Sequence, residues 1–183
     1  MRHLRTDILV IGGGATGTGV LRDLAIRGFK CILLEHRDLA YSTIGRFHGL
    51  LHSGGRYVVK DSHAARECFE ENQILRRIMP QCIEDTGGYF VLTNFDDPAY
   101  VPQFTQGCRN SGIPFESIPI SQMLKHEPWL NPKIQQCFRL PDGSVDPFLA
   151  TELNAVSAQR YGAQFLTYHE VLNLIINYQG EHG

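Results

Sequence analysis

Gly12, Gly14 and Gly17 have the spacing G-x-G-x-x-G, with Thr16 just before the last of them. In such a turn the first glycine permits the sharp exit from a strand. The second leaves the backbone bare for a pyrophosphate, and the third lets a helix pack closely. The first turn of that helix offers free N–H groups and a partial positive charge to phosphate. Glu35 follows roughly 20 residues later, where a carboxylate can accept from the hydroxyls of an unphosphorylated ribose, which favours FAD or NAD over NADP. This chemistry needs a βαβ frame, and the sequence supplies one. Ile8-Leu9-Val10-Ile11 is an apolar run of strand length. Val20, Leu21, Leu24 and Ala25 form one side of a helical pattern, Gly28 marks its stop, and Cys31 to Leu34 is a second strand that Glu35 ends. A generic glycine-rich turn accounts for the glycines but not for Glu35. The motif alone does not separate FAD from NAD.

A second cluster lies in residues 36–61. Glycines 45, 49, 54 and 55 alternate with His48, His52, Arg46 and Arg56, and Ser42, Thr43 and Ser53 add hydroxyls. Arginines in this setting suit bidentate contact with phosphate or carboxylate. The i,i+4 spacing of His48 and His52 raises a metal site, but the acid of H-E-x-x-H is missing and Gly49 weakens the helix, so no metal is expected. Two readings stay open: a loop running against a flat polar cofactor, or a glycine-rich loop entering a short helix with one histidine in the core.

The remaining pattern is mixed. Ser62 is a candidate cap for a helix over 64–79, with Cys68, Ile74, Leu75 and Ile78 on its apolar face. Arg66, Glu67, Glu70, Glu71, Arg76 and Arg77 read as solvated pairs, and Pro80 as the stop. Strands are expected over 89–93, 136–140, 164–167 and 170–176. Helices are expected over 101–110, over 122–127 with Ser121 as cap, and from Asp146-Pro147 to residue 161. Trp129 and Leu130 read as buried, 141–143 as a turn, and 178–183 as turn-like. A 183-residue chain can bury one sizeable core. Its formal charge of −2 gives no basic excess for nucleic acid. Its apolar runs are too short to span a bilayer, and residues 1–7 do not form a secretory signal. Its 5 cysteines are odd in number and lack a C-x-x-C pair, which favours reduced thiols in a cytosolic setting over a zinc or iron–sulfur site. A final strand and a βαβ unit that both need further strands make the sequence read as the first part of a larger two-domain protein.

Four blocks carry a resemblance: DILVIGGGATGTGVLRDLAIRGFKCILLE (7–35), GRFHGLLHSGGRYVV (45–59), ARECFEENQILRRI (65–78) and PDGSVDPF (141–148). The sequence resembles the FAD-dependent glycerol-3-phosphate dehydrogenases, most closely the large catalytic subunit of the anaerobic branch, and matches the N-terminal portion of such an enzyme. The resemblance implies an α/β fold: a glutathione-reductase-type, Rossmann-like FAD-binding domain with an α+β substrate-domain insertion. The implied divisions are 1–80 for the FAD-binding unit, 81–145 for the insertion and 146–183 for the return. The implied activity is oxidation of sn-glycerol 3-phosphate to dihydroxyacetone phosphate with FAD as cofactor, electrons passing to a quinone through partner subunits. Those partners would bring a cytoplasmic protein to the inner face of the membrane.

Residue by residue, Gly12, Gly14, Thr16 and Gly17 match the pyrophosphate turn, and Glu35 matches the ribose acid. Ser42, Thr43, Arg46, His48 and Gly49 fall in the loop that follows FAD, and Leu51, His52 and Ser53 near the isoalloxazine. Arg56 and Tyr57 match a pair in the substrate pocket, and Val171 a strand whose backbone meets the adenine. Ile44 stands where a small hydroxyl residue is expected, with Thr43 as its replacement. The family's other phosphate-binding and general-base residues fall beyond residue 183. His52 is an acid–base candidate, with a structural or flavin-packing role favoured. The rivals are a flavin oxidase acting on an amine or hydroxy acid, an NAD-binding Rossmann protein and an inactive truncated product. The pairing of Arg56-Tyr57 with the Asp-Gly-x-Val-Asp-Pro block argues against the first.

Overall fold

The computed structural model describes residues 3–175. It divides into two units: residues up to His48 together with those from Pro147 onward, and Gly49–Asp146.

The first unit opens with strand β1 (Ile8–Ile11), helix α1 (Ala15–Ile26) and strand β2 (Cys31–Leu34). Helix α5 (Pro147–Arg160) and strand β9 (Gln164–Leu166) complete it. The strands form a parallel sheet in the order β1-β2-β9, with Ile8 opposite Cys31 and Ile32 opposite Gln164. Leu21 and Ala25 of α1 meet Cys31, Leu33, Ala158 and Ala163 in one core, joined by Ile8 and Val10. Small side chains on α5 let α1 lie close, and Arg22 Nε donates to Ser157 Oγ at 3.1 Å. The βαβ frame read from the sequence is present, with one difference: Val20 is 44% exposed rather than packed with Leu21. The β1 residues alternate, so that Leu9 and Ile11 remain 42% and 57% exposed on the face away from this core.

The expected strand over 170–176 does not form across 170–175; residue 176 and the turn expected over 178–183 lie outside the described residues. A strand needs a ladder partner. Among the described residues this stretch pairs with none, and Leu172 and Ile175 are exposed.

The second unit contains β3 (Leu50–Leu51), α2 (Ser62–Ile78), β4 (Ile83–Glu84), β5 (Gly88–Leu92), α3 (Tyr100–Ser111), β6 (Glu116–Ser117), α4 (Ile120–His126), β7 (Gln136–Leu140) and β8 (Gly143–Val145). Two antiparallel sheets result, β3-β8-β4 and β5-β7-β6. Val58, Ala65, Phe104, Cys108, Phe138 and Leu140 build the larger core, with Phe104 at the centre of the ring contacts. Ile118, Met123, Ile134 and Cys137 build a smaller one. Helix α2 shares the larger core with α3 and β7. The unit therefore begins at Gly49, where the sequence placed a boundary at 80/81.

Local readings change here too. The α2 cap is Asp61, whose side chain accepts from Ala64 N at 3.0 Å, rather than Ser62. Carboxylate and hydroxyl both cap well, and the earlier acceptor wins. Ile74 and Ile78 are exposed, and Ala65 and Asn72 are the buried residues of α2. Helix α4 starts at Ile120 behind Pro119, one residue before the expected cap Ser121. Trp129 is 98% exposed, not buried. The glycine-rich stretch does not run into a short α-helix. It forms a 3-10 turn at Thr43–Arg46, then β3, then a second 3-10 turn at Gly55–Tyr57.

Candidate functional site

The glycine turn sits between β1 and α1. Gly12 has φ +110°, in the region that favours glycine, and its N–H donates to Leu34 O at 2.9 Å. Gly17 lies inside α1, where a Cβ would stand 1.9 Å from Gly12 O. Only a bare Cα allows the helix to meet the turn so closely. At Gly14, which caps α1, the same construction meets nothing within 4 Å. The space beside Gly14 is open where a phosphate would approach, and α1 points its N-terminus there.

Glu35 is buried at the end of β2. Its Oε2 accepts from Gly13 N at 2.7 Å, and its Oε1 accepts from Arg37 N at 2.8 Å and lies 2.7 Å from His36 Nδ1. Burial pushes this carboxyl up, but the Gly13 and Arg37 amides and the His36 ring outweigh it and hold the group below its ordinary value. A carboxylate has roughly four acceptor positions, so these three donors leave room for a ribose hydroxyl. Glu35 thus also ties the glycine turn to β2, a role that spacing alone does not reveal.

A cleft of ≈ 570 Å³ brings together Gly12, Gly14, Thr16, Gly17, Glu35, Ser42 and Thr43. Ile44, Tyr41, Phe47 and the exposed Val20 also line it. Val20 is apolar yet open because it faces this cleft rather than the core. Arg46, the last residue of the first 3-10 turn, is exposed and stands outside the cleft lining, as does the exposed His48 beside Phe47. Ala40 supports the loop from below: it is buried with φ 59°, and its N–H donates to Gly13 O at 3.0 Å. A neighbouring hollow of ≈ 270 Å³ is lined by Gly12, Glu35, His36, His169, Glu170 and Val171. Val171 therefore lies beside the acid, on irregular backbone rather than a strand. His169 N donates to Glu35 O at 2.8 Å and so fixes this segment.

In the second unit, Gly49 has φ +76° and its carbonyl accepts from Val145 N at 2.7 Å. Leu51 pairs with Gly143. Strand β3 separates His48 from His52, so the two histidines do not share a helix face. His52 is half-buried, with Nδ1 3.5 Å from Asp142 Oδ2. Ser53 is fully buried. Its N–H and its hydroxyl both donate to Asp142 Oδ1, at 2.7 and 2.5 Å. This hydroxyl is committed to the fold. Arg56 and Tyr57 are exposed, with the guanidinium 5.3 Å from the ring centroid. Stacking of this kind leaves the N–H fork of the arginine available to an anion. Asn72, Arg76 and Asp142 complete the surroundings of residues 52–53. The sequence marked Asp142 only as part of a turn and of a matching block, and read Arg76 as solvated surface.

The chain resembles known proteins in sequence and in fold. It is 47% identical over 170 residues to a subunit of the anaerobic glycerol-3-phosphate dehydrogenase of Escherichia coli, covering 93% of this chain and 31% of that protein. It is equally similar to the corresponding protein of Haloferax volcanii, covering 93% of this chain and 29% of the relative. The chain thus spans about a third of the length of these curated relatives. Among solved structures, L-proline dehydrogenase from P. horikoshii superimposes with a TM-score of 0.80 at 26% identity, covering 95% of this chain and 47% of that one. The model of the FAD-dependent oxidoreductase family matches residues 7–183. With the glycine turn, the acid at the end of β2 and this match together, the chain belongs to the FAD-dependent oxidoreductases.

Proposed function

We propose that the chain is the FAD-holding portion of a glycerol-3-phosphate dehydrogenase that oxidises sn-glycerol 3-phosphate to dihydroxyacetone phosphate. One observation carries this reading: the residues suited to a dinucleotide converge on one cleft, in a chain 47% identical over 93% of its length to a glycerol-3-phosphate dehydrogenase of the anaerobic type.

The residues fit FAD. The bare Gly14 and the start of α1 receive the pyrophosphate, with Thr16, Ser42 and Thr43 lining the same cleft. Glu35 retains an acceptor position for the ribose, and the backbone at Val171 lies beside it for the adenine. Bound FAD would take up the two electrons released when the secondary alcohol becomes a ketone. Arg56, held against Tyr57, binds the substrate phosphate through its guanidinium. His52 takes the hydroxyl proton at its ring nitrogen, while Leu51 and Gly49 shape the backbone beside it. Arg46 and His48, on the same loop but outside the cleft lining, would meet the cofactor beyond the part that the cleft holds. Electrons leave for a quinone through partner subunits, which also supply the membrane attachment. No helix among the described residues is long and apolar enough to cross a bilayer.

The test is a visible spectrum of the purified chain after incubation with FAD, followed by anaerobic addition of sn-glycerol 3-phosphate. Stoichiometric flavin bands that glycerol 3-phosphate perturbs, and proline does not, are the expected result. A chain that stays colourless overturns the cofactor assignment. A response to amino acids instead moves the chain to the amine-oxidising branch.

A further inference from the structure

Asp142 is 6% exposed, and the mechanism above gives it no part. Its Oδ1 is filled by the two Ser53 donors, so Oδ2 is the oxygen left to face His52 Nδ1. The turn that carries Asp142 is gripped from behind. Arg76 Nη2 donates to the carbonyls of Pro141 and Asp142 at 3.0 and 3.1 Å, and Arg76 Nε donates to Asn72 Oδ1 at 2.8 Å. Asn72 Nδ2 in turn donates to His52 O at 3.2 Å. The network closes on itself: one end holds the His52 backbone and the other presents a carboxylate to its ring.

We propose that Asp142 is a positioning residue that holds the His52 ring in the tautomer protonated at Nδ1, leaving Nε2 as the basic nitrogen. An ionised carboxylate only accepts hydrogen bonds, so a neutral imidazole beside it keeps its proton on the facing nitrogen. Two ionisable neighbours, Cys68 and Arg76, are engaged elsewhere. Burial and the nearby Asp142 push the Cys68 thiol up against the opposing pull of Arg56, and its Sγ donates to His52 O at 3.6 Å. Arg76 is occupied by carbonyls, Asn72 and Asp85. The proposal rests on the reading that His52 acts at the reacting centre, but its test needs neither FAD nor substrate.

The test is the ¹⁵N shifts of the His52 ring in long-range ¹H–¹⁵N spectra of the 183-residue chain, assigned by their loss in His52→Gln. Spectra are taken at about pH 9, above the ordinary histidine range. The unaltered chain is expected to show Nδ1–H. In Asp142→Asn the amide oxygen can still receive both Ser53 donors, while the amide nitrogen turns a donor towards Nδ1. The proton is then expected to move to Nε2. A purely structural Asp142 would leave the tautomer the same in both proteins, which overturns the proposal. Nε2–H in the unaltered chain overturns it even if the variant does not fold. Flavin bands read separately on the same samples report on the cofactor assignment, so the two failures are distinct.

Discussion

Gly14→Ala and Gly17→Ala are the same chemical change with opposite expected outcomes. In a helix interior alanine normally gains about 1 kcal/mol over glycine. At Gly17 the new methyl would stand 1.9 Å from a backbone oxygen, and overpacking of this kind costs roughly 1–3 kcal/mol. Gly17→Ala is therefore expected to lower stability in urea despite the better helix former. Gly14 has φ −84° and open space around it. Gly14→Ala should fold like the parent and lose FAD affinity by about tenfold or more, roughly 1.4 kcal/mol, because the methyl occupies the phosphate's approach. Unfolding and flavin titration on both variants check this; equal folding losses would refute it. Glu35 supplies the pH dependence. Its folded-state carboxyl sits below the ordinary 4.5, so its stabilisation is fully present above that value. It is lost as pH falls through the lower folded-state value. Glu35→Gln turns one acceptor into a donor against the Gly13 or Arg37 amide, at a cost of about 1–3 kcal/mol at neutral pH. The stability gap between Glu35→Gln and the parent, measured by denaturation at stepped pH, should shrink below pH 4.5; a constant gap would show that Glu35 does not tie the turn.

The elements legible in advance were those whose signals are local. The apolar run of β1, the glycines opening α1 and the Asp146-Pro147 start of α5 each state a backbone requirement within a few residues. Strands β3, β4 and β6 span two residues each, too short to show a period of two, and exist because β8 and β7 lie beside them. Helix α2 misled for a related reason. Its charged residues look alike in sequence, yet Arg76 turns inward onto the 141–142 carbonyls while Arg77 stays exposed. The same holds for the candidate site: the glycines and Glu35 were readable from spacing, whereas the hold of Asp142 on Ser53 spans 89 residues of chain. Trp129 was read as core by residue type, but the loop between α4 and β7 buries Ile134 instead. Two pairs of substitutions test this account of α2. Asp61→Ala is expected to cost about 1 kcal/mol as a lost cap, and Ser62→Ala only a few tenths. Arg76→Met should cost about 1–3 kcal/mol by orphaning part-buried carbonyls, and Arg77→Met should stay within about 0.5 kcal/mol. Urea midpoints decide both. A larger effect at Ser62 than at Asp61 would return the cap to its sequence-expected place.

At the scale of the whole molecule, the two units keep separate cores, and thiols report on each. Cys31 lies in the core of the first unit, and Cys108 and Cys137 lie in the two cores of the second. All three are buried and free. Burial pushes the Cys108 thiol up to about 11, and it raises Cys31 and Cys137 as well. Thiolate is the reactive form, so none should alkylate near neutral pH until its own core opens. The cleft at the glycine turn is lined, among the described residues, by residues of the first unit. A ligand stabilises what it binds by RT ln(1 + [L]/Kd), about 2.7 kcal/mol at a hundredfold excess over Kd. ADP, which carries the pyrophosphate and adenosine ribose without the flavin, should therefore move the urea concentration at which Cys31 becomes reactive. Cys108 and Cys137 should become reactive where they did before. Pulse alkylation read by mass spectrometry follows each thiol in the same sample. If ADP protects all three together, the chain unfolds as one cooperative body and the second unit takes its stability from the first. If ADP protects none, the glycine turn and Glu35 do not make a dinucleotide site, and the cofactor assignment falls with them.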